Sequence, residues 1–220
     1  MDIHGLQKLT LLDFPGRVAC TVFLQGCDLR CPFCHNGGLV LGGMEPVTDD
    51  AGLLDFLKKR RGLLDGVAVT GGEPLLRREL PALLRSIKEL GYAVKLDTNG
   101  SHPEALRAVV ATGLVDYVAM DIKNSPAKYA ATVGLPGFDL TPVRQSAALL
   151  LEGTVDYAAP GAADILLRVS IADDASGEVL GDGSVVIPAK QGAFTYVPDS
   201  SSPNIRKTMS DGHTCTLSFQ

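Results

Sequence analysis

The sequence predicts an α/β protein built on a parallel sheet, and three observations carry that prediction. Short apolar runs rich in Val, Ala and Leu recur at residues 18–24, 66–70, 92–96 and 115–120. Stretches with apolar residues at helical spacing separate them. Gly, Pro, Asp or Asn clusters stand at the ends of these runs, where a chain leaves a strand. Strands alternating with amphipathic helices imply βαβ units, because a crossover helix returns the chain to the same end of the sheet.

Residues 5–17 read as an extended lead-in with a turn at Asp13-Phe14-Pro15-Gly16, where Pro and Gly suit a tight bend. Residues 18–24 form the first strand. Thr48, Asp49 and Asp50 can cap a helix carrying Leu53, Leu54, Phe56 and Leu57. Lys58-Lys59-Arg60-Arg61 closes that helix with charges suited to its C-terminus, so the run reads as a solvated helix end. Residues 66–70 form the second strand. Leu80, Leu83, Leu84, Ile87 and Leu90 then mark a helix that stops at Gly91. Residues 92–96 are the third strand, and Pro103 opens the next helix at its favoured first position. Residues 115–120 are the fourth strand. Thr141-Pro142 begins a further helix with Val143, Ala147, Leu150 and Leu151 on one side. After Tyr157 the texture changes. Ala, Pro and Gly at 158–163 read as a linker, and apolar runs at 165–171, 184–187, 193–197 and 214–219 predict strands with no amphipathic helix between them. The chain therefore divides into an α/β domain over 1–157 and a β-rich tail or fused module over 158–220.

Composition narrows the function. A chain of 220 residues, 45% hydrophobic, can bury a sizeable core without disulfides. The net charge is −5 and no basic tract occurs, so no electrostatic footprint for nucleic acid is present. No apolar run approaches a membrane span, and Met1-Asp2-Ile3-His4 does not begin a signal peptide. Three of the five cysteines are clustered, which suits a reducing compartment. The expected location is the cytoplasm.

The chemistry concentrates in Gly26-Cys27-Asp28-Leu29-Arg30-Cys31-Pro32-Phe33-Cys34-His35-Asn36, directly after the first strand. Cys27, Cys31 and Cys34 are spaced C-x3-C-x2-C, close enough to converge on one metal centre. Soft sulfur ligands select iron–sulfur clusters or zinc. A structural zinc site needs a fourth ligand, which would have to come from Cys20, His35, His4 or Cys215. Three thiolates on a four-iron cluster instead leave one iron open, as a catalytic site requires. Cys20, within an apolar strand, reads as a small buried hydrophobe.

With Phe33 as the aromatic, the C-x3-C-x-aromatic-C loop resembles that of radical S-adenosylmethionine enzymes. Leu9-Thr10-Leu11-Leu12-Asp13-Phe14-Pro15-Gly16, Gly26-Cys27 and Cys34-His35-Asn36 resemble the activating proteins of anaerobic ribonucleoside-triphosphate reductase. That resemblance covers about residues 5–157. It implies the partial (β/α) barrel of the radical S-adenosylmethionine type, a [4Fe-4S] cluster on Cys27, Cys31 and Cys34, and S-adenosylmethionine on the open iron. It implies reductive cleavage of that cofactor to a 5′-deoxyadenosyl radical and abstraction of a glycine hydrogen. The implied partners are a glycyl-radical enzyme and a low-potential electron donor. The tail is unlike the end of such a protein; residues 192–199 and 210–213 faintly resemble bacterial cadherin-like or immunoglobulin-like repeats.

Ligands of parallel α/β folds bind beyond the carboxyl ends of the strands. There stand Gly71-Gly72-Glu73-Pro74, Asp97-Thr98-Asn99-Gly100 and Asp121-Ile122-Lys123. Two glycines let a ligand approach the backbone, and Glu73 offers a carboxylate to an ammonium group; the same four residues also suit an ordinary turn. The resemblance implies that Gly71, Gly72, Glu73 and Pro74 hold the methionine amino group. It puts Phe33 beside the cofactor, Asn99 and Asp121 on its nucleoside side, and Lys123 at its carboxylate. Without it, Asp121 and Lys123 would read as a solvated ion pair. His35 reads as either a donor to the cluster or a loop surface residue. Three functions follow: an activase of anaerobic ribonucleotide reductase, an activase of another glycyl-radical enzyme such as pyruvate formate-lyase, or a non-catalytic metal-binding or interaction protein whose altered C-terminal part leaves the barrel incomplete. Alanine at Cys27, Cys31 or Cys34 should abolish S-adenosylmethionine cleavage, whereas Cys20→Ala and Cys215→Ala should keep the iron. Retained iron and cleavage in Cys31→Ala would contradict the ligand assignment.

Overall fold

The computed structural model describes residues 1–154 and the strands over 165–173, 179–187, 193–195 and 215–219. The proposed linker at 158–163 lies outside the described residues.

The chain begins with β1 (Asp2–Ile3) and β2 (Gly5–Thr10), then β3 (Ala19–Leu24) and the short helix α1 (Gly37–Val40). β4 (Thr48–Asp49) pairs with β1 and leads into α2 (Asp50–Lys58). β5 (Gly66–Gly71), α3 (Leu80–Glu89), β6 (Ala93–Thr98), α4 (Pro103–Ala111) and β7 (Tyr117–Ile122) follow in alternation. Then come α5 (Tyr129–Thr132), α6 (Thr141–Leu151) and β8 (Glu152–Thr154), followed by β9 (Ile165–Asp173), β10 (Val179–Ile187), β11 (Ala193–Thr195) and β12 (Cys215–Phe219).

Strands β3, β5, β6 and β7 pair in parallel in that order, as the alternating pattern predicts. Residues 5–10, expected as an extended lead-in, are paired into the sheet. They form β2, which pairs antiparallel with β3 and places Leu6 opposite Val22. The bend at 13–16 is present, with Gly16 at φ +71° and the Arg17 N–H donating to Phe14 O. Beyond β7 the sheet continues with antiparallel β12, β9 and β10, giving the order β10-β9-β12-β7-β6-β5-β3-β2. The described residues beyond 154 are all strand.

Helix boundaries follow local chemistry. Asp49 caps α2 by accepting the Gly52 N–H at 2.8 Å. Gly91, at φ +91°, follows the end of α3, and Pro103 is the first residue of α4.

The period-two alternation of the strands gives the sheet two unlike faces. One face carries Cys20, Val22, Leu24, Val67, Val69, Val94, Leu96 and Val118. These pack in one cluster with Leu53 and Leu57 of α2, Leu83, Leu84 and Ile87 of α3, and Leu106 and Val109 of α4. Fully burying a side chain of this size contributes ~1.5–3 kcal/mol, so this layer is the main source of stability. The opposite face carries Thr21, Thr70, Lys95, Asp97 and Asp121, with Phe14 and Tyr117 packed among Ala19, Ala93 and Ala119. Polar groups therefore collect on the face away from the helices.

Candidate functional site

The loop after β3 carries all three clustered cysteines, and backbone bonds fix both of its ends. At its start, the Gly26 N–H donates to Leu39 O at 2.7 Å and the Cys27 N–H to Val40 O at 3.3 Å. Further on, the Cys34 N–H reaches Cys31 O at 3.1 Å, and the Asn36 amide donates to Gly71 O at 3.1 Å. Leu29, 2% exposed, plugs the loop into a second cluster with Met120, Tyr129, Val133 and Val143. The Arg30 N–H donates to Val133 O at 2.8 Å.

Gly71-Gly72-Glu73-Pro74 meets this loop directly, and a close approach of protein backbone requires both of its glycines. Gly72 passes so close to the cluster loop that an added Cβ would lie 2.1 Å from Gly26 O. Gly71 sits at φ +119°, where a Cβ would strike the Leu24 backbone. The Gly72 N–H donates to Leu24 O and the Glu73 N–H to Gly26 O, each at 2.8 Å. These glycines admit protein backbone.

Glu73 does not face the cavity as expected. Its carboxylate is fully buried and accepts from the Leu75 N–H (3.0 Å), the Thr98 hydroxyl (2.9 Å) and the Asn99 N–H (2.7 Å). Burial pushes its pKa up to about 7 against the pull of those donors. Its place is between two strand ends, and Pro74 is buried beside it. The remaining expected residues open on one cavity of about 310 Å³: Cys27, Cys31, Phe33, Cys34, Gly71, Gly72, Asn99, Asp121 and Lys123. His35 lines it as well. Thr70, Asp97 and Thr98 also line it, although the sequence reading gave them no role of their own; Thr70 and Asp97 lie at strand ends on the polar face, and Thr98 lies at the end of β6 on the other face.

The ionisable groups here are mutually arranged. Lys123 Nζ lies 2.5 Å from Asp121 Oδ2, and Lys95 Nζ lies 2.5 Å from Asp97 Oδ1. Burial raises the Asp97 pKa, opposed by Lys95. Burial also pushes the Cys27 thiol up to about 11 and raises Cys31, with Lys123 acting against the latter. Metal binding at such thiols must displace their protons.

The donor set fits an iron–sulfur cluster. Three free thiols open on one cavity. Among the described residues, no three His, Cys, Asp or Glu side chains gather closely enough to hold a single metal ion. A cubane spreads its thiolates over separate irons, so its ligands surround a larger body than one ion. Two candidates for a fourth zinc ligand point elsewhere. Cys20 is fully buried on the helix-covered face, where burial pushes its thiol up to about 12. His4 is buried beside Gln25, whose amide donates to its Nε2 at 3.0 Å. Among the described residues, no helix is long and apolar enough to cross a membrane.

Comparison with known proteins agrees with this geometry. Residues 21–153 match the family model of the radical SAM superfamily. Members of that superfamily use a [4Fe-4S] cluster and S-adenosylmethionine. A Methanocaldococcus jannaschii protein named for glycyl-radical enzyme activation is 37% identical over 133 residues, covering 58% of this chain and 52% of that protein. The pyruvate formate-lyase-activating enzyme of Clostridium pasteurianum is 35% identical over 133 residues, covering 56% and 52%. The 7-carboxy-7-deazaguanine synthase of Thermococcus kodakarensis is 31% identical over 163 residues, covering 65% and 63%. The chain thus spans about half the length of the first two relatives.

The Gly72–Gly26 approach predicts a selective defect. Gly72→Ala should push the cluster loop away and lower the iron retained after anaerobic reconstitution several-fold. Gly37→Ala, where an added Cβ meets nothing within 4 Å, should retain iron like the parent. Equal retention in the two variants would contradict the fit.

Proposed function

We propose, from the premise that this chain belongs to the radical SAM superfamily, that it activates a glycyl-radical enzyme, with anaerobic ribonucleoside-triphosphate reductase as the target. The single observation that supports the chemistry best is the meeting of three thiols with three polar strand ends around one cavity. The reductase as target is supported by residues 9–16, 26–27 and 34–36, whose sequence resembles the activating proteins of that enzyme.

Cys27, Cys31 and Cys34 would hold a [4Fe-4S] cluster, which would supply the electron for breaking the C–S bond of S-adenosylmethionine into methionine and a 5′-deoxyadenosyl radical able to take a hydrogen atom from a glycine Cα. Gly71 and Gly72 present backbone at the cavity wall, while Glu73 and Pro74 hold that wall in place from behind. Lys123 offers its ammonium group to the cofactor carboxylate, with Asp121 orienting it from 2.5 Å. Asn99 and Phe33 complete the nucleoside side. The electron comes from a separate low-potential donor. The described strands β12, β9 and β10 extend the sheet antiparallel beyond β7 rather than as further βα units, and on that ground the site is read as more open than in a complete activase. Incomplete exclusion of water lets a reactive intermediate escape.

Likeness to the 7-carboxy-7-deazaguanine synthase supports a second reading, in which the substrate is a small molecule. Anaerobic incubation of the full chain with dithionite, S-adenosylmethionine and, in separate reactions, the reductase or pyruvate formate-lyase separates the readings. The expected result is a glycyl radical on the reductase and none on pyruvate formate-lyase, with more than one 5′-deoxyadenosine released per radical. A radical on pyruvate formate-lyase alone would reassign the target. 5′-Deoxyadenosine without a radical on either protein would favour the small-molecule reading. One-to-one coupling would contradict the open site.

A further inference from the structure

Asp28 stands between two proposed cluster ligands in sequence, yet its side chain turns to a different part of the chain. Its Oδ1 accepts from the Asn99 amide at 3.2 Å and lies 3.9 Å from Cys27 Sγ. Its Oδ2 accepts from the Ser101 hydroxyl at 2.8 Å and lies 3.0 Å from His102 Nε2. The imidazole contact is a charge pairing at short range, since Nε2 makes no hydrogen bond of good angle. The second anchor is the segment between β6 and α4, 73 residues further along at Ser101.

Hydrogen-bond capacity fixes the direction of the Asn99 amide. Asn99 Oδ1 accepts the Ser101 N–H at 2.8 Å, so the Asn99 NH₂ must face the other way. There it meets Asp28 Oδ1 and, at 3.7 Å, the Cys27 sulfur. The single hydroxyl proton of Ser101 has two acceptors in reach, Asn99 Oδ1 at 2.6 Å and Asp28 Oδ2 at 2.8 Å, so Ser101 ties the two side chains together. The Asn99 amide and the Ser101 hydroxyl face the Asp28 carboxylate, and the His102 ring stands 3.0 Å from its Oδ2. A fixed anion therefore stands beside one cysteine of three.

We propose that Asp28 is a positioning residue that aims the Asn99 amide at the Cys27 sulfur and keeps a negative charge beside that ligand, with Ser101 and His102 anchoring it. The proposal rests on Cys27 being a cluster ligand. Cluster potentials respond to nearby charge and to hydrogen bonds on sulfur. A full charge at 3.9 Å outweighs a long N–H···S contact at 3.7 Å, so the net effect of the group is to disfavour the reduced state. His102 lies beyond the carboxylate and offsets part of its field.

The test is the one-electron midpoint potential of the reconstituted full chain, titrated with dithionite without S-adenosylmethionine. Asp28→Asn should favour the reduced state about tenfold, an upward shift of about 59 mV for one electron. Asp28→Glu, which keeps the charge, should stay nearer the parent. His102→Gln should move the potential the opposite way when measured below pH 6.5, where the imidazole is charged. Asp28→Asn with full iron and the parent potential would overturn the proposal. If Asp28→Asn fails to take up iron, His102→Gln decides: a lowered potential supports the role, and an unchanged one overturns it. A parent protein that assembles no four-iron cluster would instead overturn the ligand reading beneath it, a result visible before any variant is made.

Discussion

The Gly26 carbonyl is the point on which the candidate site depends. It accepts the Glu73 N–H at 2.8 Å, and Gly72 reaches it only because glycine has no Cβ. The Glu73 side chain then turns away from that bond and takes three donors from Leu75, Thr98 and Asn99. One residue thereby joins the ends of β3, β5 and β6. Asn99, held by its backbone to Glu73, carries its amide on to Asp28 and Cys27. The cysteine loop is thus braced by strand ends, so the thiols need no secondary structure of their own.

The two faces of the sheet explain why this bracing occurs where it does. Helices α2, α3 and α4 cover the face that carries valine and leucine, and the Tyr92 hydroxyl within this layer donates to Leu57 O at 2.7 Å. The other face receives the alternate residues, among them Lys95, Asp97 and Asp121. Partly buried charges are tolerable when paired at hydrogen-bond distance, and both lysines there have a carboxylate partner. The stability of the domain and the chemistry of its cavity therefore reside on opposite sides of the same strands. Substitutions that empty the helix layer weaken the fold, whereas those on the cavity face alter charge and binding.

Much of this arrangement was legible in the sequence. The alternation of β3, β5, β6 and β7 with α2, α3, α4 and α6 follows from apolar spacing, and three cysteines within eight residues mark the loop that opens on the cavity. The strand ends were displaced, for one physical reason. Residues 92–96 and 115–120 were expected as strands, while β6 and β7 run to Thr98 and Ile122. Asp97, Thr98 and Asp121 look like loop residues when read for polarity, but they are strand residues, Asp97 and Asp121 at the mouth of the polar face. Glu73 was recognised by its motif, although its orientation depended on donors from Thr98 and Asn99, 25 and 26 residues away. Asp28, Ser101 and His102 gave no local signal. Their association exists only once β6 lies beside β5, and no spacing rule relates position 28 to position 102. The small α1 and α5 also went unread, since four residues are too few to show a helical period.

The central claim is that three thiolates hold a four-iron cluster with one iron left open. It is tested most directly by counting iron and acid-labile sulfide per chain after anaerobic reconstitution, and recording the spectrum of the reduced protein before and after adding S-adenosylmethionine. The account predicts about four irons and four sulfides per chain, with a spectrum that changes when the cofactor reaches the open iron. One zinc or one iron per chain, or a cluster spectrum indifferent to S-adenosylmethionine, would contradict it.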